Sequence, residues 1–209
     1  MKRVCAWLVL AFACGGAGGR AVRAAEEPIE AIAPGSRVTW DRLRRASLRA
    51  PEGWHRTRQK AAEFMGEDNP GKWAFTGTVL LYTGAGDVPP RPENVRARVM
   101  VGTTSHAAFE KCVEAVAATK RDLLEKAQYT KETVYPGGME LEIYRSPARD
   151  KTRFFVMFPM GFATTWFVVD IPRPGVEFPD FAMKLVETLS YSILAPDAQD
   201  ATPVPRRRP

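Results

Sequence analysis

The chain has 209 residues, 45% of them hydrophobic, enough for one domain with a real core, and it contains no internal repeat. Its formal charge of +6 suggests an anionic partner, but residues 1–24 hold four basic side chains and no acid, and without them 26 Lys plus Arg face 24 Asp plus Glu. Arg206, Arg207 and Arg208 exceed that remaining surplus, so the body of the chain is near neutral and lacks the clustered basic face that nucleic acid requires.

The N-terminus reads as a signal segment: basic Lys2 and Arg3, an apolar run from Val4 to Ala13, then small residues leading to Glu26 and Glu27. The run is shorter than the roughly 20 residues a membrane-spanning helix needs, so it is an h-region. Two processing routes fit. Cleavage after Ala24 uses Val22 and Ala24 as the small residues of a signal-peptidase site and frees a soluble protein, although Arg20 and Arg23 charge that region. Alternatively, Ala11-Phe12-Ala13-Cys14 is similar to a bacterial lipobox, with Cys14 lipidated and Gly15 to Gly19 as a tether. The segments expected are a signal at 1–24, a linker at 25–39, a single domain at 40–194 and a disordered tail at 195–209.

Within the domain, Ala46 to Ala50 predicts a short strand running into the turn Pro51-Glu52-Gly53-Trp54. Ala61 to Met65 and Trp73 to Thr83 read as two strands of a hairpin around Glu67 to Gly71. After a loop from Gly84 to Pro92, the alternation of Val95, Ala97, Val99 and Val101 predicts a strand with one buried face. The period then changes. Phe109, Cys112, Val113, Val116, Leu123, Leu124 and Ala127 fit an amphipathic helix of about 22 residues with Ser105 as its N-cap. Three strands follow, Met139 to Arg145, Thr152 to Phe158 and Ala163 to Ile171, separated by Pro- and Gly-containing turns. Phe178, Phe181, Ala182, Leu185, Val186 and Leu189 form a second helical stripe, with a short extension from Tyr191 to Leu194. Strands, helix, three meandering strands and helix predict an α+β fold, an antiparallel sheet covered by helices.

The phrase Ser47-Leu48-Arg49-Ala50-Pro51-Glu52-Gly53-Trp54, the helix opening near Ser105, the three-strand meander and the closing Thr188-Leu189-Ser190-Tyr191-Ser192 resemble the PsbP-like family, which includes DcrB-type bacterial envelope lipoproteins. The resemblance spans residues 40–194 in order of elements. It implies an αβα sandwich and an accessory or binding role without a shared catalytic site. It carries over no binding residue.

Candidate chemistry is sparse. The two histidines, His55 and His106, lie on distant elements without a ligand pattern around them, so neither a metal nor another cofactor is expected. Of three cysteines, Cys5 and Cys14 fall in the leader, and Cys112 reads as a buried small hydrophobe. Gly84-Ala85-Gly86-Asp87 precedes prolines rather than a helix and reads as a loop. His106 reads as a solvent-facing residue of a helix start, and Glu140 and Glu142 as neighbours on the solvent face of one strand. Phe154, Phe155, Phe158, Phe162, Trp166 and Phe167 suit a core or an apolar groove, and Trp54, Trp73 and Trp166 are the residues in which to seek a surface aromatic patch. The reading that results is an exported, non-catalytic binding or accessory protein of the bacterial envelope. Its expected partner is an unidentified envelope protein or a small apolar ligand, and its membrane contact is a lipid anchor at Cys14. The alternatives are a small exported hydrolase or transferase built on His106 or on Glu140 with Glu142, and a surface-tethered structural lipoprotein.

Overall fold

A computed structural model describes residues 29–41, 46–66, 69, 76–84, 86, 91–147 and 150–189. The signal segment, Cys14, Ala24, Trp73, the Tyr191 to Leu194 extension and the arginine tail lie outside the described residues. Eight strands form one sheet in the order β1 (Glu30–Ala31), β4 (Trp54–Arg56), β5 (Thr76–Tyr82), β6 (Ala97–Ser105), β10 (Ala163–Ile171), β9 (Thr152–Met160), β8 (Leu141–Arg145), β7 (Thr130–Val134). Every pair is antiparallel, and β2 (Arg37–Asp41) with β3 (Ala46–Arg49) makes a separate two-stranded ribbon. The helices are α1 (Ala61–Met65), α2 (Phe109–Glu125) and α3 (Asp180–Glu187). The protein is therefore a single domain of mostly antiparallel sheet with a few helices. No helix of the described residues is long and apolar enough to cross a membrane.

The two faces of the sheet bury different side chains. On one, α3 and the β2–β3 ribbon pack Trp40, Leu48, Phe178 and Leu185 against Leu80, Val99, Phe154 and Phe167 of the sheet. On the other, α1 and α2 pack Phe64, Val116 and Leu123 against Met100, Phe155, Trp166 and Val168. Central β9 and β10 are consequently buried on both faces, and Phe154, Phe155, Trp166 and Phe167 are core residues. Truncating such a phenylalanine to alanine costs about 3–5 kcal/mol. Two indoles bracket β6: Trp40 Nε1 donates to Thr103 Oγ1 at 2.9 Å, and Trp166 Nε1 to Thr104 Oγ1 at 3.0 Å. Trp166 stands opposite Gly102 in the ladder, and a Cβ at neighbouring Gly77 would meet Val101 O at 2.6 Å, so the β5–β6 approach at this level requires glycine.

Several expectations from the sequence need correction. Ala61–Met65 is helical: five good helix formers bury Ala61, Phe64 and Met65 at helical spacing, and the Lys60 amide donates to Glu63 Oε2 at 3.2 Å. The hairpin partners of β5 are instead β4 and β6. Strand β6 runs on to Ser105, where it still pairs with Ala163, so Ser105 belongs to the sheet and α2 begins at Phe109 behind Ala108. Beyond Arg98, β6 loses its alternation because both of its faces are covered. The stretch 25–39 holds β1 and the start of β2, paired with β4 and β3. Strand β7, for which the sequence offers no apolar alternation, is the outer strand of the sheet and leaves Lys131 and Thr133 exposed along its edge. The turn at Gly53, with φ +85°, is as expected and delivers Trp54 into the core.

Candidate functional site

The C-terminal ends of β5 and β10 and the start of β6 meet at one end of the sheet, since Tyr82 pairs with Ala97 and Asp170 with Arg98. The loops beyond them enclose a cleft of about 830 Å³. One wall is the segment before β6, contributing Glu93, Asn94, Val95 and Arg96. The opposite wall is the β10–α3 connection, with Pro172, Arg173, Val176 and Pro179, and Phe181 of α3 and Thr83 complete the cleft. A lobe of about 330 Å³ shares Val95, Ile171 and Pro172 with it and adds Arg98, Asp150, Lys151 and Asp170.

Both walls are fixed from behind. The Arg96 amide donates to Tyr82 O at 2.8 Å, and its guanidinium lies against Gly84, where a Cβ would come within 3.0 Å of Cζ. Gly84 has φ +100°, so only glycine suits both the backbone and the close approach. On the other wall, buried Thr152 donates to Arg173 O at 2.7 Å and accepts from the Val176 amide at 3.2 Å, so one hydroxyl pins the loop at two points. Phe181 stacks on Tyr82 with centroids 4.3 Å apart, and Trp54 packs on Tyr82 at 4.9 Å. The result is an apolar base under a rim carrying Arg96 and Arg173, both exposed and neither in an ion pair with any described residue.

Behind Thr83 lies His55, whose Nε2 is 3.0 Å from Thr83 Oγ1. Thr83 Oγ1 also lies 3.4 Å from Gly53 O, to which it can donate. The His55 Nδ1 and the Trp54 Nε1–H are buried without a hydrogen-bond partner among the described residues. Burial pulls the His55 imidazole below its ordinary value, which keeps it neutral.

The residues singled out from sequence do not converge. His106 follows β6 rather than starting α2, and it is half-buried: its amide donates to Phe162 O at 2.7 Å and its Nε2 lies 2.9 Å from Thr164 Oγ1. Burial lowers its pKa also. Cys112 is buried as expected, with Sγ 3.3 Å from Ala163 O and 3.4 Å from Thr164 Oγ1. Glu142 is on β8, separated from β6 by β10 and β9, and faces α2 rather than open solvent. It pairs with Lys120 of α2 and Lys131 of β7, and those hydrogen bonds hold its carboxyl down at about 2. Tyr144 donates to it at 3.2 Å, and burial, then the Glu142 charge, raise the phenol well above its usual value. Glu140 precedes β8 and is exposed. Trp54 and Trp166 are 1% exposed and so form no surface patch. Among the described residues no three His, Cys, Asp or Glu side chains group to hold a metal.

The cleft's charged residues escaped the sequence reading because Arg96 and Arg173 come from separate loops with no shared motif. Their one visible signal is that Arg96 and Arg173 each sit where a Pro-containing loop meets a strand of the central sheet.

No protein-family model matches this chain, and no curated protein matches it. A crystal structure of a protein from Bacteroides thetaiotaomicron VPI-5482 is similar with 12% identity and a TM-score of 0.39, over 77% of this chain and 47% of that one. The chain thus spans about half the length of that protein, and the likeness is too loose to transfer a function.

Proposed function

We propose that this chain is an exported, non-catalytic binding or accessory protein of the bacterial envelope, built as a PsbP-like αβα sandwich. On this reading the cleft between the segment before β6 and the β10–α3 loop takes a small, largely apolar ligand. The layers support the fold assignment: α1 and α2 lie on one face of the sheet and α3 on the other. The observation that carries the functional reading is the cleft itself, whose walls are pinned by Thr152 and by the Arg96 amide, while its described lining residues include one carboxylate and no His, Ser or Cys. Preformed concave sites that combine apolar surface with placed polar groups are the usual form of small-ligand sites.

Titration of the full-length protein with 1-anilinonaphthalene-8-sulfonate tests the site. One saturable site in the wild type, lost in Val176→Glu with the near-ultraviolet circular dichroism unchanged, is the expected outcome; binding indifferent to Val176→Glu contradicts it. Mass spectrometry of the N-terminus of protein made in a bacterial host tests export. A chain beginning at Ala25 or a lipidated Cys14 supports it, and an intact Met1 in the envelope-free fraction opposes it.

A further inference from the structure

We infer that the cleft selects acidic amphiphiles, binding one carboxylate between Arg96 and Arg173 while the apolar body lies over Phe181, Val176 and Pro179. This rests on the reading of the cleft as a ligand site and adds the chemical class of the ligand. Three features of the rim carry it.

Arg96 and Arg173 line one cleft from two separate segments of the chain, and no described carboxylate is in an ion pair with either. Arginine's planar fork matches a carboxylate with paired, charge-assisted hydrogen bonds, and its weak hydration lowers the cost of using it beside apolar surface. The backbone that presents each arginine is fixed before a ligand arrives: the Arg96 amide donates to Tyr82 O, and Arg173 O accepts from Thr152. Pre-ordering of this kind removes part of the entropy lost when a ligand is fixed.

Glu93 on the Arg96 wall sets a limit on the ligand. Among the described lining residues two are arginines and one is a glutamate, a surplus of one positive charge. A monoacid satisfies that surplus, whereas the second charge of a diacid meets Glu93. The apolar base, with Phe181 stacked on Tyr82 beneath it, suits an alkyl chain or a ring rather than a second polar group.

Calorimetric titration of the full-length protein with decanoate, decanol and decanedioate separates these points. Decanoate is expected to bind one to one, with decanol and decanedioate each about tenfold weaker, the factor equivalent to roughly one lost charged hydrogen bond. Arg96→Met and Arg173→Met should each weaken decanoate about tenfold and leave decanol within about twofold, with thermal midpoints unchanged. Equal binding of decanoate and decanol, together with indifference to Arg96→Met, overturns the acid selectivity while leaving the cleft as a ligand site. If decanoate, decanol and the anilinonaphthalene probe all fail to bind, the cleft reading falls with it. Sedimentation with phosphatidylglycerol vesicles without saturable decanoate binding also overturns the proposal, because the acidic group would then belong to a membrane surface.

Discussion

Arg153 and the pair Arg96 and Arg173 put the same side chain at the same end of the sheet to opposite uses. Arg153 is 2% exposed. Its Nη2 lies 2.6 Å from Asp170 Oδ2 and its Nε donates to the other carboxylate oxygen. Nη2 and Nη1 also reach the carbonyls of Phe64 and Met65 at 3.2 and 3.4 Å, closing the last turn of α1, and the guanidinium sits 5.2 Å over the Phe64 ring. Every direction of that fork is taken by the protein. Arg96 and Arg173 are exposed over an apolar base and no ion pair with a described residue engages either. A guanidinium that is buried must be matched within the chain, because an unmatched one costs several kcal/mol. One exposed at a rim is free to be matched by something else.

The sharpest way to test this contrast is to remove the internal match. Arg153→Met leaves Asp170 with only Lys151, 3.7 Å away, and strips α1 of its carbonyl partners, so urea unfolding should show a loss of about 3–5 kcal/mol. A loss under about 1 kcal/mol would make Arg153 no different in kind from the rim arginines.

Next in size is the Glu142 cluster. Its carboxyl titrates near 2 in the folded protein against an ordinary 4.5, so its contribution is present above pH 4.5 and is lost as pH falls from there toward 2. Glu142→Gln should cost about 1 kcal/mol at neutral pH, discounted because the pair is a third exposed, and should flatten the stability profile in that acid window. An unchanged profile would mean that Lys120 and Lys131 do not hold the charge.

A smaller effect comes from the imidazoles. Burial lowers the pKa of both His55 and His106 from 6.5, so the unfolded chain binds protons that the folded chain refuses. Stability is therefore full above about pH 6.5 and declines as pH falls through that value toward the depressed folded ones. His55→Gln should reduce the slope of the melting temperature between about pH 6.5 and 5. The smallest expected effect is that of Arg96→Met on stability, within about 0.5 kcal/mol, since that side chain supports nothing inside the fold. A loss as large as that of Arg153→Met would erase the contrast.

Where the sequence was readable, a periodicity belonged to one buried face. The helical stripe through Cys112, Val116 and Leu123 placed α2, and the turn at Gly161 separated two strands that do pair. Where it misled, tertiary context overrode the local pattern. Ala61–Met65 looked like a strand beside β5, but Arg153, nearly ninety residues away, caps it as a helix. Thr130–Val134 lacked apolar alternation because an outer strand has little to bury. Phe109, Val113 and Leu124 fit the stripe yet flank the buried face of α2 and remain exposed. The cleft was not legible at all, for its arginines are 77 positions apart and only the pairing of β6 with β10 brings their loops together.

Amide chemical-shift mapping with decanoate tests the assignment of the cleft most directly. Saturable shifts concentrated at Thr83, Arg96, Arg173, Val176 and Phe181, with the midpoint about tenfold higher in decanoate for Arg96→Met, are the predicted result. Shifts centred instead on the exposed Phe109, Val113 and Leu124 of α2, and unchanged in Arg96→Met, would contradict it.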